Sequence, residues 1–423
     1  MLTEPDLRQR IGPMLADGRT IRELVDLDKR EVALRVLSDP EVYRWELEKL
    51  FARTWTIVGH VSEIPKPGDF VLRSIGEDKV IVSRTRSGSV AAVLNVCAHR
   101  GAELCRADEG NAKNFMCPYH GWTFDCEGRM LSAPFEREVY GELDKSGLGL
   151  RKASVAVRHG VIFANLDPDP EPLDEYLGEE MCWYFDQLYG QTEQVVMGPP
   201  LRQFVNANWK AIVDQFAGDA YHFHTTHRAM GELGVITADR TDPKGWTVEG
   251  LWVRMAGSGS WGCSDVLGPL FASTGIERTH PLAGWLMIGL LFPATGITSF
   301  PLPDPESMFP TIGGFVPRGP DATEWWTLQL VPKHVSEEVR KILRAGATVQ
   351  NTVLPDDLEN WVSMSRGARG VVSRQGTIKY NTPPRPANNP RSWPGPGSVY
   401  EGMHSDDSQW GFWLQWLEEM TRE

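Results

Sequence analysis

Cys97-Ala98-His99-Arg100-Gly101 is separated by seventeen residues, counted from His99, from Cys117-Pro118-Tyr119-His120-Gly121-Trp122. Each stretch offers one thiolate and one imidazole, and each closes on a glycine. A zinc finger groups Cys with Cys and His with His, as C-x2–4-C followed by H-x3–5-H. The order here is Cys-His-Cys-His, with one residue inside the first pair and two inside the second. A Cys97–Cys117 disulfide would leave the placement of His99 and His120 without a reason.

The ligand set that accounts for all four donors is that of a Rieske-type [2Fe–2S] cluster. There Cys97 and Cys117 hold one iron, and His99 and His120 hold the other. Neutral imidazoles replace two anionic thiolates, so the cluster accepts an electron at roughly −150 to +300 mV rather than about −400 mV. A protein with such a site moves single electrons. Gly101 and Gly121 fall where a loop must turn tightly around the group, and loop N–H donors to the sulfurs tune the potential.

The rest of the chain bounds what surrounds this site. A length of 423 residues predicts two or three domains. The net charge of −13 and pI near 5.3 argue against nucleic acid or an anionic membrane as partner. The first seventeen residues have mixed charge and no apolar core, so no secretory signal is expected there. The longest apolar run, residues 282–292, is too short for a bilayer and suits a buried strand. Cys105, Cys126, Cys182 and Cys263 show no paired spacing. They read as reduced thiols of a cytoplasmic protein.

Residues 20–25 and 40–51 carry apolar side chains three and four apart and are expected to be helical. From 55 to 166 short β-rich runs alternate with Gly, Pro and Asp turns, so the four ligands sit on loops of a small β domain. Pro168, Pro170 and Pro172 mark its end. Beyond them helices surround strands at 246–255, 282–292 and 325–331, with further helices at 336–345 and 356–366. Residues 383–396 hold six prolines in a loop. The tail at 408–421 puts Trp410, Trp413, Leu414 and Leu417 on one stripe behind Ser408 as N-cap, a terminal helix docked on the core. The expected class is α+β, with three segments. Residues 1–45 form a helical segment packing on the catalytic domain, and 46–166 form the small all-β cluster domain. Residues 167–423 form a larger catalytic domain of antiparallel sheet flanked by helices.

A second constellation follows Asn208-Trp209-Lys210. Asp214-Gln215-Phe216-Ala217-Gly218-Asp219-Ala220-Tyr221-His222-Phe223-His224-Thr225-Thr226-His227 places three histidines within six positions. Mononuclear Fe(II) that activates O2 is commonly held by two His and one carboxylate, with other positions open. His222 and His227 are five apart, about 500° on an ideal helix, so they do not share a face. The helix must be distorted or end between them, and Gly218 and Thr225-Thr226 suit irregular backbone. The third ligand must come from elsewhere, and the acidic helix start Pro355-Asp356-Asp357-Leu358-Glu359-Asn360-Trp361 is the best source. Those acids also serve as the usual charges of a helix N-terminus.

Taken together, C-x-H-R-G, C-P-Y-H-G-W, N-W-K, G-D-A-Y-H-x4-H and D-D-x-E-N-W resemble the large (α) subunit of Rieske non-haem iron ring-hydroxylating dioxygenases. This is the group of the naphthalene and biphenyl enzymes, and the likeness runs from about residue 45 to the end. The resemblance implies the cluster ligands named above. It implies His222, His227 and Asp357 on the mononuclear iron, Asp357 by its place two residues before Glu359. It makes Asp219 the carboxylate that bridges a cluster His of a neighbouring subunit to an iron-ligand His. In this family the two metal sites of one chain are far apart, so an α3 or α3β3 oligomer is implied, with or without small β subunits. Electrons from NAD(P)H arrive through a reductase and usually a ferredoxin, and the implied reaction is cis-dihydroxylation of an aromatic hydrocarbon or aromatic carboxylate. His224 has no ligand role. Gln215 replaces the Asn of the naphthalene-type pattern and, with Phe216, Phe223 and Leu354, is the expected pocket wall, although each apolar one suits plain core as well. Monooxygenation or demethylation on the same scaffold is the alternative. A pure electron carrier is a more distant one, because it needs only the β domain.

Overall fold

The computed structural model describes residues 2–219, 221–228, 251–255, 259–265, 267–301, 306, 308–344, 355–382, 393–401 and 405–422. They fall into two compact units. One comprises Phe51–Leu173 and Gln194–Val196, the other Met1–Leu50, Asp174–Glu193 and Met197–Glu423.

The unit of Phe51–Leu173 is built of short strands: β1 (Thr56–His60), β2 (Asp69–Ile75), β3 (Asp78–Arg84), β4 (Val90–Leu94), β5 (Glu109–Asn111), β6 (Asn114–Met116), β7 (Thr123–Asp125), β8 (Met130–Ser132), β9 (Lys152–Arg158) and β10 (Val161–Asn165). Seven pair in the order β1-β10-β9-β4-β3-β2-β5, and β8-β7-β6 make a second, smaller sheet. The pairings are antiparallel. Alternation along β3 explains the layering, since successive strand residues point to opposite faces. Val80 and Val82 enter a core with Val58, Val71, Ile75 and Ile162. Ile81 enters another with Phe70, Val93, Phe115, Trp122 and Phe124, and that core contains Cys97 and Cys117. The cluster loops therefore stand on one specific face of the large sheet.

The other unit carries α1 (Pro40–Glu46), α2 (Leu173–Tyr189), α3 (Trp209–Gly218), α4 (Pro355–Gly367) and α5 (Asp407–Met420). Its strands are β11 (Leu201–Val205), β12 (Leu251–Arg254), β13 (Gly259–Asp265), β14 (Trp285–Leu291), β15 (Thr295–Pro301), β16 (Met308–Pro317), β17 (Thr323–Pro332) and β18 (Ser398–Glu401). They run β17-β16-β15-β14-β13-β12-β18, with β11 also on β17, all antiparallel. The strand expected at 282–292 is β14, and that at 325–331 lies within β17. Of the one expected at 246–255 only the later part, β12, lies within the described residues. Most of the proline-rich stretch 383–396 lies outside them. Among the described residues no helix is long and apolar enough to cross a membrane.

α3 lies across this sheet and is buried nearly all round. Phe216 packs against Phe315 and Trp325, with ring centroids 4.8 and 5.8 Å away. Gly296 makes room for it, because a Cβ there would stand 3.0 Å from the Phe216 ring. Gly218 is helical rather than irregular, and its missing Cβ lets α5 approach, since one would sit 2.7 Å from Ser408 Cβ. Ser408 is thus buried packing, and Asp406 occupies the N-cap position expected of Ser408. Instead of a single apolar stripe, α5 buries Trp410, Phe412, Trp413, Leu414, Trp416 and Leu417, together with Gln409 and Glu419. The short element at 20–25 is a 3-10 turn, Ile21–Leu24, not an α-helix. α1 gives way after Glu46 to a wider π turn, Leu47–Phe51.

The N-W-K motif explains itself here. Asn208 caps α3, its side chain accepting from Lys210 N–H at 3.0 Å and donating to the Pro320 carbonyl. Lys210 and Glu46 form an ion pair at 2.7 Å with both side chains fully buried. Trp209 and Trp416 each donate an indole N–H to the same carboxylate, at 3.0 and 2.9 Å. A buried pair needs its remaining hydrogen bonds satisfied to hold its desolvated charges. Three parts of the chain, α1, α3 and α5, supply them.

Candidate metal centres

The two cluster loops are the same turn made twice. Cys97 N–H donates to the Ala102 carbonyl at 2.8 Å, and Gly101 N–H donates back to the Cys97 carbonyl at 2.9 Å. In the second loop Cys117 N–H donates to the Trp122 carbonyl at 2.8 Å, and Gly121 N–H to the Cys117 carbonyl at 3.0 Å. The closing glycines have φ of +73° and +72°, a region that favours glycine. Buried Asn95 ties the end of the first loop down, accepting from Leu104 and Cys105 N–H and donating to the Cys105 carbonyl.

This backbone sets the two thiols beside each other and the two imidazoles beside each other. Cys97 and Cys117 are buried, and burial followed by the neighbouring Cys117 raises the pKa of the Cys97 thiol. The Cys97 thiol, which resists ionising and has a second buried thiol beside it, is one that a cationic iron would deprotonate. His99 and His120 stand at the edge with ring centroids 4.6 Å apart, and His99 stacks on Trp122 at 4.6 Å and 5°. His99 Nδ1 is buried with no hydrogen-bond partner among the described residues, a lone pair consistent with a metal bond. The donor set fits a mixed cluster with thiolates inside and imidazoles outside.

The second site is assembled differently. α3 ends at Gly218, and Asp219 follows as its C-cap. His222 and His227 flank a one-turn helix, Phe223–Thr226. The irregularity that their spacing demanded is thus a helix end plus a separate turn. Asp357 arrives in the first turn of α4. His222 Nε2 lies 3.2 Å from His227 Nε2 and 3.4 Å from Asp357 Oδ1, and His227 Nε2 lies 3.3 Å from the same oxygen. Donors about 2.1 Å from one metal at near right angles are about 3 Å apart, so this triangle is the right size for one ion. Asp357 is buried, and among the described residues its Oδ1 accepts no hydrogen bond. Among the described residues this is the only group of three or more such donors with ligand atoms within 4.8 Å of one another.

Asp219 stands behind His222, its Oδ1 3.5 Å from Nδ1 and 3.3 Å from the backbone N–H. Asp356 lies 3.8 Å from His227 Nδ1, outside the triangle. Burial works against a charged His222, but Asp219 and then Asp357 outweigh it and raise its proton affinity. Burial would raise the Asp219 carboxyl, yet its bond to His222 holds it below the usual range. Three acceptors converging on one point, with carboxylates behind, make a site that attracts a cation.

The Rieske [2Fe-2S] domain family matches residues 54–145. Over nearly its whole length the chain is similar to the chlorobenzene dioxygenase subunit alpha of Cupriavidus sp. (strain PS12), at 35% identity over 96% of this chain and 94% of that one. It is 34% identical to the biphenyl 2,3-dioxygenase subunit alpha of Rhodococcus jostii (strain RHA1), over 99% and 94%. The chain belongs to the Rieske ring-hydroxylating dioxygenase α subunits. The crystal structure of naphthalene 1,2-dioxygenase from Rhodococcus sp. bound to indole superposes with a TM-score of 0.78, at 32% identity over 93% of this chain and 95% of that one. A quaternary ammonium Rieske monooxygenase, at 20% identity and a TM-score of 0.70, shares the fold. As an α subunit of this family the protein is an oxidoreductase with a [2Fe–2S] Rieske domain.

Within this dioxygenase subunit the expected pocket residues part ways. Phe216 is packed in the aromatic layer beneath α3, and Gln215 accepts a hydrogen bond from Trp361 Nε1 at 2.8 Å. Leu354 and the side chains of Phe223 and His224 lie outside what is described. Glu46 was not singled out in the sequence, yet its signal was there: an acid four residues after Val42 on an apolar helix face.

Proposed function

We propose that this α subunit is the terminal oxygenase that adds both atoms of O2 to one face of an aromatic ring, giving a cis-dihydrodiol. Cys97, Cys117, His99 and His120 would hold the cluster, and His222, His227 and Asp357 a mononuclear Fe(II). The cluster supplies single electrons and the mononuclear iron supplies a site for O2. The observation that carries this reading is the 3.2–3.4 Å triangle of His222, His227 and Asp357.

The protein's own contributions follow from the geometry. With its Oδ1 3.5 Å from His222 Nδ1, Asp219 would take the Nδ1 proton's hydrogen bond and so turn the Nε2 lone pair toward the triangle. About 30% of the Asp219 side chain stays exposed, so its carboxylate can also accept from a cluster histidine of a neighbouring α subunit in an α3 or α3β3 assembly. The Phe216, Phe315 and Trp325 layer keeps water from the sheet side of α3. Electrons would come from NAD(P)H through a reductase or ferredoxin. The names of the relatives, which include benzene and chlorobenzene dioxygenases, favour an aromatic hydrocarbon over an aromatic acid.

A single turnover of the reduced protein under 18O2 with a panel of arenes and aromatic acids tests this. Two 18O atoms in one product are expected, from protein holding the cluster irons and one more. One atom per product would replace dioxygenation by monooxygenation, and no product from protein lacking the additional iron would leave an electron carrier.

A further inference from the structure

Two side-chain hydrogen bonds run from α4 to the stretch that bears the histidines. Trp361 Nε1 donates to Gln215 Oε1 at 2.8 Å, and Asn360 Nδ2 donates to Thr226 Oγ1 at 2.8 Å. Asn360 and Trp361 are three and four residues beyond Asp357, one helical turn along α4. Thr226 immediately precedes His227. Gln215 lies in the last turn of α3, just ahead of Asp219 and His222. The two bonds therefore bracket the donor triangle, one on the histidine-bearing turn and one on the helix that leads into it.

Something must set where α4 stands, because among the described residues Asp357 Oδ1 takes no hydrogen bond that would aim it. No backbone ladder joins α4 to α3 or to the one-turn helix, since helices satisfy their own N–H and C=O groups. Trp361 is fully buried and also packs on Trp325 of β17, with centroids 5.9 Å apart, which anchors its ring to the sheet.

We propose that Gln215–Trp361 and Thr226–Asn360 form a two-point clasp that holds Asp357 against His222 and His227 and so preorganises the triangle for a divalent cation. Gln215, Thr226, Asn360 and Trp361 are then positioning residues, which gives the E-N-W part of the D-D-x-E-N-W motif a reason. The amide oxygen of Gln215 serves the clasp. This inference rests on the reading of the triangle as a metal site.

The test uses full-length protein with its cluster intact and the other metal removed by chelation. Co(II) affinity is measured by equilibrium dialysis, and the Co(II) EPR signal reports ligand geometry. Trp361→Phe keeps the ring and deletes the N–H, and about 10–100-fold weaker binding with an altered signal is expected. Asn360→Ala, at an exposed position, is expected to weaken binding by up to about tenfold, and adding Thr226→Val should cost nothing further. The cluster spectrum stays unchanged throughout. Wild-type affinity and signal in both Trp361→Phe and Asn360→Ala would overturn the clasp. If Trp361→Phe fails to fold, Asn360→Ala decides alone. Asp357→Ala is the separate check: wild-type Co(II) binding there would sink the triangle itself, whereas loss there with no change in the clasp variants would sink only the clasp.

Discussion

The four cluster donors lie within 24 residues and are shaped by hydrogen bonds between backbone groups of their own loops, while His222 and Asp357 are 135 residues apart and meet through side chains. In the first case the same closed turn recurs, with Cys first and Gly fifth, and the histidine shifts by one place between copies. Beyond the ligands, the side chains that add to that geometry are local as well: Asn95, which ties down the first loop, and Trp122, which stacks on His99. In the second case the two histidines border one short turn and Asp357 comes from a separate helix, α4. The elements are held by buried polar groups: the Lys210–Glu46 pair, the cage around Asp214, and the bonds to Trp361 and Asn360. Asp214 on α3 accepts from Tyr380 Oη at 2.6 Å, Trp413 Nε1 at 2.9 Å and Gln409 Nε2 at 3.0 Å. A centre made of local backbone tolerates distant substitutions, and a centre made of tertiary contacts does not.

Lys210→Met is the hardest blow to that contrast. It leaves Glu46 buried without its cation, and breaking such a pair costs about 3–5 kcal/mol. Calorimetry should show the catalytic unit unfolding well below its normal temperature, with mononuclear metal lost, while the visible spectrum of the cluster survives at temperatures between the two transitions. A cluster lost in step with the metal would mean that the two regions do not respond separately.

Acid should divide the units in opposite directions. His60 in β1 is buried, and burial lowers its pKa to about 4 despite the His159 carbonyl, so the folded state keeps it neutral. Its contribution is intact above the unfolded value near 6.5 and is lost as pH falls toward 4, by about 3 kcal/mol in all. For Asp214, burial raises the pKa to about 6 against the donors around it. Its folded value exceeds the unfolded one, so its contribution is complete below about pH 4 and is lost as pH rises through 6, again by about 3 kcal/mol. Between pH 7.5 and 5.5 wild-type protein should gain stability relative to Asp214→Asn in the catalytic-unit transition. A difference that stays flat with pH would mean that Asp214 does not titrate there.

The smallest effect sharpens the picture within the cluster loops. Gly101 and Gly121 share their φ, but a Cβ at Gly101 meets nothing within 4 Å, whereas one at Gly121 would lie 2.7 Å from Pro134 Cγ. Gly101→Ala should cost only the left-handed backbone penalty of about 1–2 kcal/mol and keep the cluster. Gly121→Ala adds a collision with a rigid ring and should reduce cluster occupancy, read from absorbance per protein. Equal occupancy in the two variants would show that φ alone matters.

Much of this was readable in the chain. The candidate cluster donors could be singled out because their pattern is local: one short closed turn, repeated, places Cys and Gly at fixed spacing with His between them. The class of fold and the strands at 282–292 and 325–331 followed from composition and period. His222 and His227 were legible as a pair, and their awkward spacing foretold broken helix. Other features were not legible, each for a tertiary reason. α5 read as a stripe because sequence period shows one apolar face, yet Gln409 and Glu419 are buried too, since the polar partner that makes burial tolerable, Asp214 for Gln409, lies far off in the chain. Ser408 read as a cap because caps are local signals, but Gly218 pulls it into a crossing. Gln215 reads as pocket wall because it adjoins ligands, and nothing along the chain announces that its oxygen bonds a tryptophan 146 residues away.

What the sequence determined by itself is the candidate donor set and the small β scaffold, because both depend on neighbours along the chain: backbone turns, period and side-chain chemistry. The resemblance already pointed to Asp357 rather than Asp356, and the tertiary structure supplied the distances that make Asp357 the one completing the triangle. It also decided what holds that aspartate in place and which buried charges support the helices beneath it. These are questions of distance between residues more than a hundred positions apart, and only burial brings them to within a hydrogen bond of one another.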